Sequence, residues 1–345
     1  MVRRYDMHVL KINHFVLIAL VIMIVLSCST SIHHGALQGN LEAVKASIRT
    51  GVNPDTPCPY NDLDSNIAQG DTPLMIAVKH NQLDVVQELI RSGANVNMKN
   101  TLRKETALHM ANNLDIAKEI VNAKGDIHAK NHIGYTPLLE QASRGNIDIA
   151  LFLIQAGANA NDRSEKNLTA LHWAVSSYYP ATVKNSQEAR EAYKKKKINL
   201  IRTLLKAGVD VNASGESGGV LEMPIHWASA SEPEYIELLV KHGADINAKA
   251  FMGETPLHYA IKHEQIICLK KLIELKADIE RKNSQGATPL HYAAIKGNTN
   301  AVMMLIKAGA DPRAKNEDGN TPLDLALKNK RSAVADFLTI LKMKQ

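Results

Sequence analysis

Five histidines stand in nearly the same surroundings along this chain: His109, His172, His226, His258 and His291, each closing a "TPLH"-type tetrapeptide. Imidazoles set in a row could bind a metal or pass protons. Their spacing argues against both. Successive copies lie about one repeat apart, too far to share an ion whose ligands sit roughly 2 Å from it. The three cysteines, Cys28, Cys58 and Cys268, are scattered and form no CxxC pair. Cys268 sits at an apolar helix position in "IICLKKLI", where a small buried hydrophobe is expected. No nucleophile elbow, phosphate-binding loop or paired-carboxylate pattern occurs. The chain is therefore read as a non-enzyme that calls for no cofactor and no metal. Its histidines are read as hydrogen-bonding groups that reach back to a helix cap or across to the next turn.

The first residues belong to another kind of sequence. Arg3, Arg4 and Lys11 precede "FVLIALVIMIVL", an apolar run of signal-peptide length from Phe15 to Leu26. It ends in "VLSC", which resembles the lipobox of bacterial lipoproteins. That resemblance implies a lipid on the sulfur of Cys28 and cleavage just before it. Residues 1–27 are then a signal peptide and 28–34 a short tether. Two alternatives stay open: an uncleaved membrane anchor extending through "SCSTSI", or cleavage after Ser29 and plain secretion. Each sends the remainder out of the cytoplasm, and the lipid would hold it in the cell envelope on the extracytoplasmic side.

From there on two landmarks alternate. Thr72, Thr106, Thr136, Thr169, Met223, Thr255, Thr288 and Thr321 recur 30 to 34 residues apart except for one gap of 54. Between them come Gly93, Gly157, Gly208, Gly243 and Gly309, with Lys124 and Lys276 in the same place in two copies. The threonine supplies an N-cap hydroxyl ahead of a proline at the first helical position. The glycine suits a left-handed residue after a second helix. In that second helix "QIICLKKLIELK" sets Ile267, Cys268, Leu272 and Ile273 on one apolar face. One helix pair cannot bury such a face alone, so units must stack.

In these residues the chain resembles the ankyrin repeat family over nearly all of residues 33–345. The resemblance implies an all-α repeat solenoid of stacked ankyrin repeats, each a helix-turn-helix of about 33 residues with a β-turn finger. Polar capping repeats are expected at both ends of a domain spanning 35–345. It also implies recognition of a partner protein through the fingertips and the exposed end of each first helix. The fingertip candidates are His132, Ile133 and Tyr135; Phe251, Met252 and Glu254; Ser284 and Gln285; and Glu317 and Asp318. Tyr135, Phe251 and Met252 stand out because a solvated turn has no folding reason to use large apolar residues. Trp173, Trp227, Tyr259 and Tyr292, each just after a histidine, form a stripe best read as core packing.

Departures from the repeat mark special places. The Thr106 repeat is three residues short, which removes most of a turn from its first helix. Met223 replaces a capping threonine, a loss of about 1 kcal/mol. Insertions fall near 54–69 and 176–199. The second reads as a second helix extended backwards, capped by Asn185 or Ser186. It also holds the charge: the whole chain is +6, and Lys184, Arg190 and Lys194, Lys195, Lys196 and Lys197 here face only Glu188 and Glu191. The bland reading is a solvated helix face; the alternatives are a tether to an anionic surface and, least favoured, a nucleic-acid contact. The function this predicts is an extracytoplasmic interaction scaffold. A host-facing effector or inhibitor and a charged tether are the competing readings.

Overall fold

The computed structural model describes residues 32–59, 67–184 and 186–343. Cys28, the apolar run before it, residues 60–66 of the first insertion and Asn185 lie outside the described residues. Among the described residues no helix is long and apolar enough to cross a membrane. The helices gather into two compact units that divide between Pro137 and Leu138.

The first unit holds the helix pairs Pro73–Lys79 with Leu83–Arg91 and Ala107–Met110 with Leu114–Asn122, preceded by Leu41–Arg49. The second pairs Ala170–Val175 with Gln187–Lys206, Pro224–Ser229 with Pro233–Lys241, and Pro256–Lys262 with Ile266–Glu274. Pro289–Lys296 with Thr299–Lys307 and Pro322–Lys328 with Ser332–Met343 follow; Ile147–Gln155 and Ala181–Lys184 belong to the same unit, and Pro137–Arg144 begins at its boundary. Within this unit first helices pack on first helices and second on second, so two helical layers enclose the core. The helix content and its repetition meet the expectation of an all-α repeat solenoid. The short repeat pays as expected: Ala107–Met110 is only four residues long.

The histidines act as rivets between repeats. Thr106, Thr169, Thr255 and Thr288 each donate their backbone N–H to Nδ1 of the histidine three residues on, at 3.1–3.2 Å. Nδ1 must then accept, which leaves the proton on Nε2. Nε2 donates to a carbonyl at the next cap: Tyr135 from His109 (3.0 Å), Glu222 from His172 (3.3 Å), Ala287 from His258 (3.1 Å) and Asn320 from His291 (3.1 Å). All five imidazoles are fully buried. Both ring nitrogens of these imidazoles are engaged in hydrogen bonds.

At Met223 the rivet is incomplete. Its N–H still reaches His226 Nδ1 at 3.1 Å, but the threonine Oγ1 that lies 2.8–3.0 Å from Nδ1 in the other four is gone. Restoring it by Met223→Thr is expected to stabilise the second unit by about 1 kcal/mol. The urea midpoint of its tryptophan signal should rise; an unchanged or lower midpoint would show that the methionine packs better than the cap bonds.

The second landmark has a similar logic. Gly93, Gly157, Gly208, Gly243 and Gly309 have φ between +78° and +100°, and a Cβ at each would meet nothing within 4 Å. The left-handed backbone, not crowding, selects glycine there. Lys124 and Lys276 accept the same conformation at φ 68°. Four residues on, Asn212 bonds the Asp245 N–H (3.0 Å) and the Gly243 carbonyl (3.0 Å) of the following repeat. Asn97 and Asn161 do the same in their own units.

The face of the second helix needs one correction. Cys268, Leu269 and Leu272 are the buried residues of Ile266–Glu274, whereas Ile267 is 70% exposed. One step of about 100° around the helix turns Ile267 away from the neighbouring layer.

Candidate partner-binding surface

The finger between Val211 and Met223 is longer than the other fingers of the second unit and forms a hairpin. β1 (Gly215–Ser217) and β2 (Val220–Glu222) pair antiparallel with Ser217 opposite Val220. Gly218 and Gly219, both at positive φ, make the two-residue turn. That "SGGV" signal was legible but not used in reading the sequence. β2 lies beside the turn Phe251–Gly253 of the next finger, so Leu221 (53% exposed), Phe251 (53%) and Met252 (46%) present apolar surface on neighbouring fingertips. Met252 holds φ 59°, a conformation a methionine rarely adopts.

The other fingertip candidates divide. His132, Ile133, Ser284, Gln285, Glu317 and Asp318 are exposed and Tyr135 is half-buried. Backbone bonds run from finger to finger, Ser284 N–H to Met252 O (2.8 Å) and Glu317 N–H to Gln285 O (3.0 Å). In the first unit His132 N–H reaches Arg103 O (2.9 Å). Glu254 is a correction: it is buried, with Oε1 accepting from Tyr292 Oη (2.5 Å) and Oε2 meeting Lys262 Nζ (3.0 Å). A cap residue facing the first helix of the next repeat has structural partners to serve.

The second insertion extends a helix as expected. Gln187–Lys206 runs twenty residues where its neighbours have nine. Ser186 is the N-cap, its Oγ accepting from the Ala189 N–H at 3.2 Å. Within the lysine run Lys195 and Lys196 are exposed, whereas Lys194 and Lys197 are drawn inward. Lys194 meets Glu232 (2.8 Å) and Glu234 (3.0 Å), and Lys196 meets Asp148 (2.6 Å). Lys197 is 3% exposed. Its ammonium donates to the carbonyls of Ser176 and Tyr178 and lies 5.6 and 5.7 Å from the ring centres of Tyr179 and Tyr235. Burial pulls it down to about 8, with Glu232 pulling the other way. Lys195 is exposed.

This extended helix and the Ser176–Tyr179 segment wall a cleft of about 890 Å³ over the first helices. Trp173, Trp227 and Tyr259 line it, with Glu222 at the end of β2 and Ala230. The aromatic stripe is thus partly core and partly surface. Tyr259 is 3% exposed, but Trp173, Trp227 and Tyr292 are only half-buried. Trp173 and Trp227 meet edge to face at 5.3 Å. Glu222 takes Trp227 Nε1–H on one oxygen (2.5 Å) and Tyr259 Oη–H on the other (2.6 Å). The pocket is open, with aromatic walls and a carboxylate fixed by two donors.

The family model for ankyrin repeats (3 copies) matches residues 32–131, 108–185, 190–283 and 268–344. Among curated proteins the chain is similar to inversin of Canis lupus familiaris, 25% identical over 196 residues, which are 56% of this chain and 14% of that protein. It is similar to the B-cell lymphoma 3 protein homolog of Mus musculus, 28% identical over 199 residues, 58% of this chain and 34% of that one. The transient receptor potential channel pyrexia of Drosophila melanogaster is 32% identical over 128 residues, 37% of this chain and 11% of that one. The matched segment is a minor part of each relative.

Proposed function

We propose a function for this chain from the fact that it belongs to the ankyrin repeat family: it is a scaffold that binds a partner protein and performs no catalysis itself. The partner docks on the second unit, from the Leu221, Phe251 and Met252 fingertips to the aromatic cleft beside the extended helix. The observation that carries this reading is the cleft, which brings two half-buried tryptophans, Trp173 and Trp227, together between polar walls. Aromatic anchors in a partly desolvated pocket are what a binding hot spot requires. Photo-crosslinking from Phe251 and Tyr178 tests the docking surface.

We further propose display at a membrane surface on the extracytoplasmic side, through a lipid on Cys28. The support is the order of charged, apolar and "VLSC" segments. Cys28→Ala is expected to abolish incorporation of a fatty-acid analogue and to move the protein from the membrane to the soluble fraction. An unlabelled wild-type protein would end the lipid reading.

A further inference from the structure

Four repeats of this chain place an acidic residue just before the helix cap, Asp71, Glu105, Glu222 and Glu254, and two of them pair it with a lysine eight positions on. Asp71 meets Lys79 Nζ at 2.6 Å, and Glu254 meets Lys262 Nζ at 3.0 Å. Lys262 also lies 5.4 Å from the ring centre of Tyr259, so its ammonium has both a carboxylate and an aromatic neighbour. Glu105 has Asn113 eight positions on and Met110, not a ring, after its histidine. The remaining acid is Glu222, and the ring after its histidine is Trp227. Eight positions on stands Ala230, with no ammonium to offer. Ala230, Glu222 and Trp227 all line the cleft. The Glu222 carboxylate is held by two neutral donors, Trp227 Nε1–H and Tyr259 Oη–H. Of the cations lining the cleft, Lys194 is committed to Glu232 and Glu234, and Arg190 has interactions of its own.

We infer that the cleft receives a lysine or arginine side chain of the partner protein, whose cation takes the place that Lys79 and Lys262 fill in their repeats. This rests on the scaffold reading and deepens it. The guest cation bonds Glu222 and stacks near Trp227, combining a charge-assisted hydrogen bond with a cation–π contact. A volume of about 890 Å³ exceeds what a lone side chain fills, so the flanking chain enters with it and lies against Trp173 and the Ser176–Tyr179 wall. With alanine rather than lysine at 230, the Glu222 carboxylate is a half-site for a visitor.

The two tryptophans of the chain, Trp173 and Trp227, both line this cleft, so their fluorescence and indole N–H resonances report occupancy. The full chain is titrated with capped glycine tripeptides bearing lysine, arginine, norleucine or glutamate at the centre. The lysine or arginine peptide is expected to give a saturable response near a dissociation constant of about 1 mM, as suits a single anchoring side chain. The norleucine and glutamate peptides should give none. Glu222→Gln should weaken binding about tenfold, and Ala230→Lys, which supplies the missing ammonium in cis, should abolish it. An equal response to norleucine, or wild-type binding by Glu222→Gln, would overturn the inference. Should Ala230→Lys fail to fold, the Glu222→Gln comparison decides alone. Putrescine binding far tighter than the peptides would assign the cleft to a free polyamine and likewise overturn it. If tripeptides fail while crosslinking from Phe251 succeeds, this inference falls and the scaffold stands. Failure of crosslinking removes the scaffold reading itself.

Discussion

Lowering the pH from 6.5 to 5 is expected to cost the second unit about 3 kcal/mol of stability through two buried histidines alone. Burial pulls His172 and His258 down to about 4, against the upward pull of the carbonyls they donate to. In the unfolded chain each titrates near about 6.5. Between these values the unfolded state binds protons that the folded state refuses. The stability is therefore complete above about pH 6.5 and falls as the pH drops toward 4. Burial lowers His226 and His291 as well, so both add in the same direction. The carboxylates held below their ordinary range, Glu234 and Asp324, contribute only nearer about pH 4. The window from 5 to 6.5 thus reports the histidine rivets together with His263, which partial burial and Lys262 also lower. Urea unfolding followed by tryptophan fluorescence at both pH values measures the loss, and His258→Gln should remove about half of what the two impose. A flat stability across this window would contradict the neutral, doubly bonded imidazoles described above.

Lys197→Ala is expected to cost about 2–3 kcal/mol, whereas a solvated lysine would change stability by less than about 0.5 kcal/mol. The substitution leaves the Ser176 carbonyl without its ammonium donor and empties the space between Tyr179 and Tyr235. Lys197→Met separates the two effects. It keeps the apolar stem and removes a charge that burial already disfavours, so its loss should be within about 1 kcal/mol. In both variants the Ser176–Tyr179 wall should exchange its amide hydrogens faster, because the ammonium that pins it is gone. Surface-like behaviour of both variants would mean that the lysine does not hold the wall.

The repeat lattice was legible because each of its residues answers a local need. Threonine and proline start a helix, glycine or lysine ends one at positive φ, and histidine joins a cap to the next unit. These needs recur in register, so the sequence declares them several times over. The extension of Gln187–Lys206 was readable for the same reason: Ser186 is a cap and the helix simply starts early.

What escaped the sequence reading depends on contacts between segments far apart in the chain. Four lysines in a row signal a solvated face, and only Asp148, Glu232, Glu234 and the Tyr179–Tyr235 pair show why three of them are engaged. Glu254 reads as a fingertip from its place in the turn with Phe251 and Met252, yet Tyr292 and Lys262 draw it inward. The tryptophans occupy a core position in each repeat. They become half-open because the insertion builds a wall at a distance from them instead of packing on them. No local pattern encodes that gap.

The most direct test of the scaffold account is site-specific photo-crosslinking in living cells. A photoreactive phenylalanine is placed in turn at Phe251, at Tyr178 in the cleft, and at Ile267, which faces outward from a second helix. The account predicts one discrete protein adduct shared by the first two positions and absent from the third. Adducts formed equally well from Ile267, or no protein adduct from Phe251 and Tyr178, would contradict it.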